Sequence, residues 1–203
     1  MAATQYHYLL SALPSLAQLH QELDLPVEDF LSMLDGAAAP EAMAQAVLLS
    51  GDLLQRQAML AGELDAPTPA VLTLAQLQDE APLPDALVID ADTTGQVFPL
   101  AEDRLYEAYF LHVAELGRSL GSEFLRAWVG FEAGLRNAIA QARAQALDLE
   151  PGNYRVAVDL ADDPDDFSSI VNEWNAAATP LDALEVLDQA RWTWLTTHDA
   201  WFS

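Results

Sequence analysis

The stretch from Glu123 to Leu147, EFLRAWVGFEAGLRNAIAQARAQAL, constrains the fold more than any other part of the chain. Phe124, Trp128, Phe131, Leu135, Ala138, Ile139 and Ala142 recur at steps of three and four, which places them on one face of a helix. A long helix with an aromatic face needs other elements to cover it, so the chain must pack around this one. Arg126, Arg136 and Arg143 fall elsewhere on the same helix. Glu132 stands four residues before Arg136, a spacing that predicts an ion pair along the helix. Half of the chain's eight arginines lie between Arg118 and Arg143.

The charge balance limits the partners. The 203 residues include 32 acids against eight Arg and no Lys, for a net charge of -24. Such a chain is repelled by DNA, RNA and anionic lipid, and suits basic proteins or cations. A halophilic or simply acidic proteome gives the same charge without any partner, and the Lys-poor, Ala-rich and Leu-rich composition also looks like that of a high-GC genome. A hydrophobic content of 52% argues against disorder. The chain has no Cys, which excludes disulfides and thiolate metal sites. No segment is apolar for the length of a bilayer span, and no basic region precedes the apolar run after Met1, so no secretory signal is expected. The expectation is a soluble, cytoplasmic chain.

The fold class expected is mainly α: a multi-helix bundle with an irregular Pro-rich loop or small hairpin in the middle. It is read as a single helical domain over 1–203, with a hinge or insertion at 79–101 between helical groups 1–78 and 102–203. Residues 6–16 open apolar and break at Pro14, as a short strand or first helical turn. A helix is predicted from Asp24 as cap, with Pro26 just inside, to about Leu34, stopping at Gly36. A second runs from Pro40 to Ala61, interrupted at Gly51 and capped by Gly62. Val71–Leu77 is a candidate short helix, and 79–85 a proline-bearing loop. Helices resume at Asp103, with Leu105, Tyr109, Val113 and Leu116 as a buried stripe and Gly117 ending or bending the segment. Residues 148–152 form a turn, and 159–166 are acidic and irregular. A last helix starts through Thr179-Pro180-Leu181-Asp182, with Leu184, Leu187, Trp194 and Leu195 as its stripe and Arg191 and Trp192 beside it.

No chemistry-bearing motif emerges. Asp90-x-Asp92-x-Thr94-Gly95 starts like a calcium loop, but its twelfth position is Ala101 where a bidentate Glu is needed, so the reading is an Asp/Gly turn. Asp162, Asp163, Asp165 and Asp166 around Pro164 match no cation cage. The four His have no metal-ligand spacing, and there is no nucleophile elbow, phosphate loop or dinucleotide fingerprint. No catalytic, metal or cofactor residue is assigned, and no enzyme activity is expected. The candidate partner-contact or structural polar residues are Arg126, Glu132, Arg136, Asn137, Arg143 and Arg191. The candidate partner-contact aromatics are Trp201 and Phe202, while Trp128 is expected in the core.

Three segments together resemble a bacterial family whose genes sit among those for V/A-type rotary ATPase subunits. The first is Tyr6-His7-Tyr8-Leu9-Leu10-Ser11-Ala12-Leu13-Pro14. The second is the central helix with Trp128, Phe131, Leu135-Arg136-Asn137 and Arg143. The third runs from Pro180-Leu181-Asp182 through Leu187-Asp188 to Arg191-Trp192 and Trp194-Leu195. They cover roughly a quarter of the chain and occur in the family's order. The resemblance implies a stand-in for the C component of the V/A-type rotary ATPase (d in eukaryotes), an all-helical, non-catalytic funnel that receives the central shaft and sits on the membrane rotor ring. It implies V/A-type ATPase partners, the central shaft and the rotor ring. It also implies a place at the inner face of the cell membrane, without insertion into the bilayer. The alternative is a free-standing acidic helical interaction domain unrelated to the ATPase.

Overall fold

The computed structural model describes residues 11–14, 18–22, 24–89 and 98–198. Among these the protein is mainly helical and contains no strand. Seven α-helices are described: α1 Val27–Met33, α2 Ala38–Leu60, α3 Leu74–Leu77, α4 Ala101–Leu120, α5 Glu123–Ala146, α6 Ser168–Ala176 and α7 Pro180–Thr197. The chain divides into two compact units, Met1–Pro82 and Leu83–Ser203. The first part of the calcium-loop look-alike and most of the would-be hairpin, 90–97, lie outside the described residues, as do Trp201 and Phe202.

In the first unit α1 and α3 pack on α2. Leu34, Ala46, Leu49, Leu53, Leu72 and Leu77 are its buried apolar side chains. Asp24 does not cap α1. Pro26 is the residue at the boundary, in an extended conformation, and its carbonyl accepts the Phe30 N–H at 2.9 Å. Gly51 does not interrupt α2, which runs unbroken for 23 residues. One glycine costs about 1 kcal/mol relative to Ala, too little to break a helix this long. Gly62 does close α2: at φ 74 it takes the left-handed turn that a side chain resists.

In the second unit α4 and α5 form a helical hairpin. The turn is built by Gly121, left-handed at φ 65, and by the Ser122 hydroxyl, which accepts the Leu125 N–H at 3.2 Å. Gly117 does not end α4, which runs on to Leu120. The glycine opens a slot at the crossing, where a Cβ would come within 3.1 Å of the Arg126 Cγ. Helix α5 is covered on more than one side. Leu125, Val129, Ala133, Leu135 and Ile139 are buried along it, and the short 3-10 turns Pro151–Tyr154 and Pro164–Phe167 cross it together with α6. The acidic stretch expected to be irregular ends in the second of these turns. It leads into α6, a nine-residue helix that packs on α7.

Helix α7 starts as its sequence indicates. The Thr179 hydroxyl accepts the Asp182 N–H, the Asp182 carboxylate accepts the Thr179 N–H, and Pro180 occupies the first turn. Its buried face differs from the expected stripe. Leu187, Ala190 and Trp194 face the core, while Leu184 and Leu195 are exposed. Trp194 packs against the rings of Phe124, Trp128 and Phe131 on α5.

Candidate functional site

Two of the candidate polar residues of α5, Glu132 and Arg136, tie it to α7 and α4 of the second unit. Tight packing at one point makes this feasible. A Cβ on Gly134 would lie 2.6 Å from the Phe167 ring, so only glycine lets the 3-10 turn seat Phe167 against the helix. Phe131, Leu135, Ala138 and Phe167 then form a buried cluster, onto which Trp128, Ile170, Val171, Leu187, Ala190 and Trp194 pack. Trp128 is partly buried and meets Trp194 edge-on at 5.2 Å. Trp194 in turn stacks on the His198 ring at 4.0 Å, and His198 Nδ1 lies 2.7 Å from the Trp194 carbonyl.

The expected Glu132–Arg136 pair does not form. Arg191 of α7 donates from Nε and Nη2 to the two Glu132 oxygens at 2.7 and 3.2 Å, and from Nη1 to Asp188 at 3.1 Å. Arg136 instead donates from Nη2 to Asp103 of α4 at 3.0 Å, with its guanidinium 3.7 Å above the Tyr106 ring. An i,i+4 pair on an open helix face is worth a few tenths of a kcal/mol, whereas a two-pronged Arg–carboxylate pair shielded from water is stronger. Arg191 therefore takes Glu132, and Arg136 turns to Asp103 through a single hydrogen bond.

Burial shifts these groups. Removal from water pushes the Asp103 carboxyl above the ordinary carboxylate range, and Arg136 offsets only part of that. The Tyr106 phenol is raised by the same burial. For Arg191 burial alone would lower the value, but Glu132 and Asp188 together hold the guanidinium above its ordinary value. Asp162, beside α5, is also raised, by burial and then by the charge of Asp166.

Asn137 is fully buried and structural. Its amide donates to the Val156 carbonyl at 2.7 Å, and its oxygen accepts the Val156 N–H at 2.8 Å. The next residue, Ala157, is left-handed at φ 47, and its N–H donates to the buried carboxylate of Glu107. Arg143 is exposed, with its guanidinium 5.1 Å from the Trp174 ring centre. Arg126 is exposed as well. It lines an open groove of about 700 Å³ with Arg118, Glu123 and Asp159, so the lining carries charges of both signs.

Sequence reasoning missed Asp103, Tyr106 and Glu107. In so acidic a chain a buried Asp or Glu carries no local signal, since only its distant partner distinguishes it. Among the described residues no group of three or more His, Asp or Glu is placed to hold a metal ion. No helix among them is long and apolar enough to cross a membrane. Comparison with known protein families, curated proteins and solved structures finds no match for this chain.

Proposed function

We propose that this protein is a non-catalytic linking component of a V/A-type rotary ATPase, similar to its funnel-shaped C component, which joins the central shaft to the membrane rotor ring from the cytoplasmic side. One observation supports the reading beyond the resemblance. The second and third matching segments, far apart in sequence, interlock in space. Trp128, Phe131 and Leu135 of α5 meet Leu187 and Trp194 of α7, and Glu132 meets Arg191. These residues therefore work as one folding module. A helical, strongly acidic chain also suits a basic shaft or ring loop by charge complementarity.

The test is purification of the protein, tagged at its native locus, in mild detergent, with mass spectrometry of what accompanies it. Catalytic and rotor subunits in fixed ratio are the expected result. Assembly and turnover of the ATPase in a deletion strain, with the protein recovered free of those subunits, would overturn the reading.

A further inference from the structure

Helix α7 carries further apolar residues beside those that pack on the α5 cluster. Leu181, Leu184, Trp192 and Leu195, with Asp188 among them, follow steps of three and four and so share one face. Leu181 is 73% exposed, Leu184 49% and Leu195 37%. Trp192 is partly buried beside them. Isolated exposed leucines are ordinary. Here they form two pairs along a helix of 18 residues, Leu181/Leu184 and Trp192/Leu195, separated by the half-buried Asp188, and the exposed acids Asp182 and Glu185 border the first pair. Arg191, the cation beside these residues, is already held by Glu132 and Asp188.

We infer that this outer face of α7 docks an amphipathic helix of a partner protein whose apolar stripe is flanked by Lys or Arg. Leu181 and Leu184 provide one i, i+3 pair of anchor contacts and Trp192 and Leu195 a second, with the ion-paired Asp188 between them, for a helix laid along this face. The acidic rim selects the sign of the flanks. A second copy of this chain meets the same rim with the same charge, and each copy carries -24, so self-association through this face is disfavoured. An anionic bilayer is disfavoured for the same reason. The inference goes beyond the rotary-ATPase reading and holds for any partner with that helix.

The probe is a synthetic Leu/Lys amphipathic peptide of about five helical turns. Its controls are a scrambled peptide of the same composition and a Leu/Glu peptide with the same apolar face. Binding is measured by isothermal titration calorimetry against the full chain and against the double variant Leu184→Ser/Leu195→Ser. The substituted side chains are exposed and keep the net charge, so an unchanged melting curve verifies the fold. The expected result is binding of the Leu/Lys peptide alone, weakened about tenfold or more in the double variant. Equal binding of the scrambled peptide, equal binding of the Leu/Glu peptide, or undiminished binding by the double variant would each overturn the inference. So would light scattering that shows a dimer of the wild type lost in the double variant, because a second copy would then occupy the face.

Discussion

Each unit of this protein fastens an irregular segment to its longest helix, and the two do so with different chemistry. In the first unit the anchor is Asp52 of α2, only 1% exposed. Its carboxylate accepts three successive backbone N–H groups, from Ala70 at 2.8 Å and from Val71 and Leu72 at 2.7 Å. In the second unit the anchor is Asn137 of α5, with no exposed surface. It faces one N–H and one carbonyl, both of Val156. The difference follows from what the segment presents. A row of donors suits an acceptor-only group, and a donor beside an acceptor suits an amide. The three N–H groups replace the hydrogen bonds to water that burial takes from the Asp52 carboxylate.

Exchanging the two anchors breaks the comparison most sharply. Asn137→Asp turns one oxygen toward the Val156 carbonyl and buries an uncompensated charge, which should cost about 3–5 kcal/mol near neutral pH. Burial raises the pKa of the new carboxyl in the folded state. The folded protein then binds the proton more readily, and the loss should shrink as the pH falls. Urea unfolding at neutral and mildly acidic pH measures this. A loss of the same size at both would show that shape, and not charge, decides the site.

The reverse change, Asp52→Asn, places an amide NH2 against backbone donors and should cost about 2–3 kcal/mol. Hydrogen exchange resolved by peptide should show faster exchange over residues 70–72. Unchanged protection there would refute the anchoring role. Glu107→Gln keeps a carbonyl acceptor for the Ala157 N–H, so it should cost only about 0.5–1.5 kcal/mol. A much larger loss would mean that the charge of Glu107, and not its acceptor oxygen, supports the left-handed Ala157.

The smallest effect concerns Asp103, a buried carboxylate without the three amides that Asp52 enjoys. One of its oxygens meets Arg136, and the other is buried with no hydrogen-bond partner. Its folded-state pKa lies above the ordinary value of 3.8. The folded state therefore holds the proton more tightly than the unfolded chain. Asp103 then favours folding most at acidic pH, and that contribution is lost as the pH rises from 3.8 through the raised folded value. Asp103→Asn should flatten this part of the stability–pH curve. A curve as steep as that of the wild type would assign the slope to other acids, of which Asp162 has the same sign of shift.

Much of the fold is legible in the chain. The periodicity of 123–147 marks α5, Thr179-Pro180-Leu181-Asp182 marks the start of α7, and Gly62 marks the end of α2. Each is a local signal set by backbone geometry or by a side chain reaching a few residues along. Helix α6 is not legible, because the acidic residues before it carry no period and its own turns are few. The aromatic half of the α5 face is evident in the sequence, but the partners of its polar residues are not.

The sequence by itself determined the helical class, the absence of cysteine chemistry, the acidic surface and the identity of the central helix. These follow from composition and from spacings within one helix. Only the tertiary structure decided that Glu132 belongs to Arg191 and Arg136 to Asp103. It alone decided that Asn137 holds Val156, and that Leu184 and Leu195 face outward while Trp194 faces in. Those choices compare contacts between residues tens of positions apart, and the winning contact is the one shielded from water, where charge and hydrogen bonds count most.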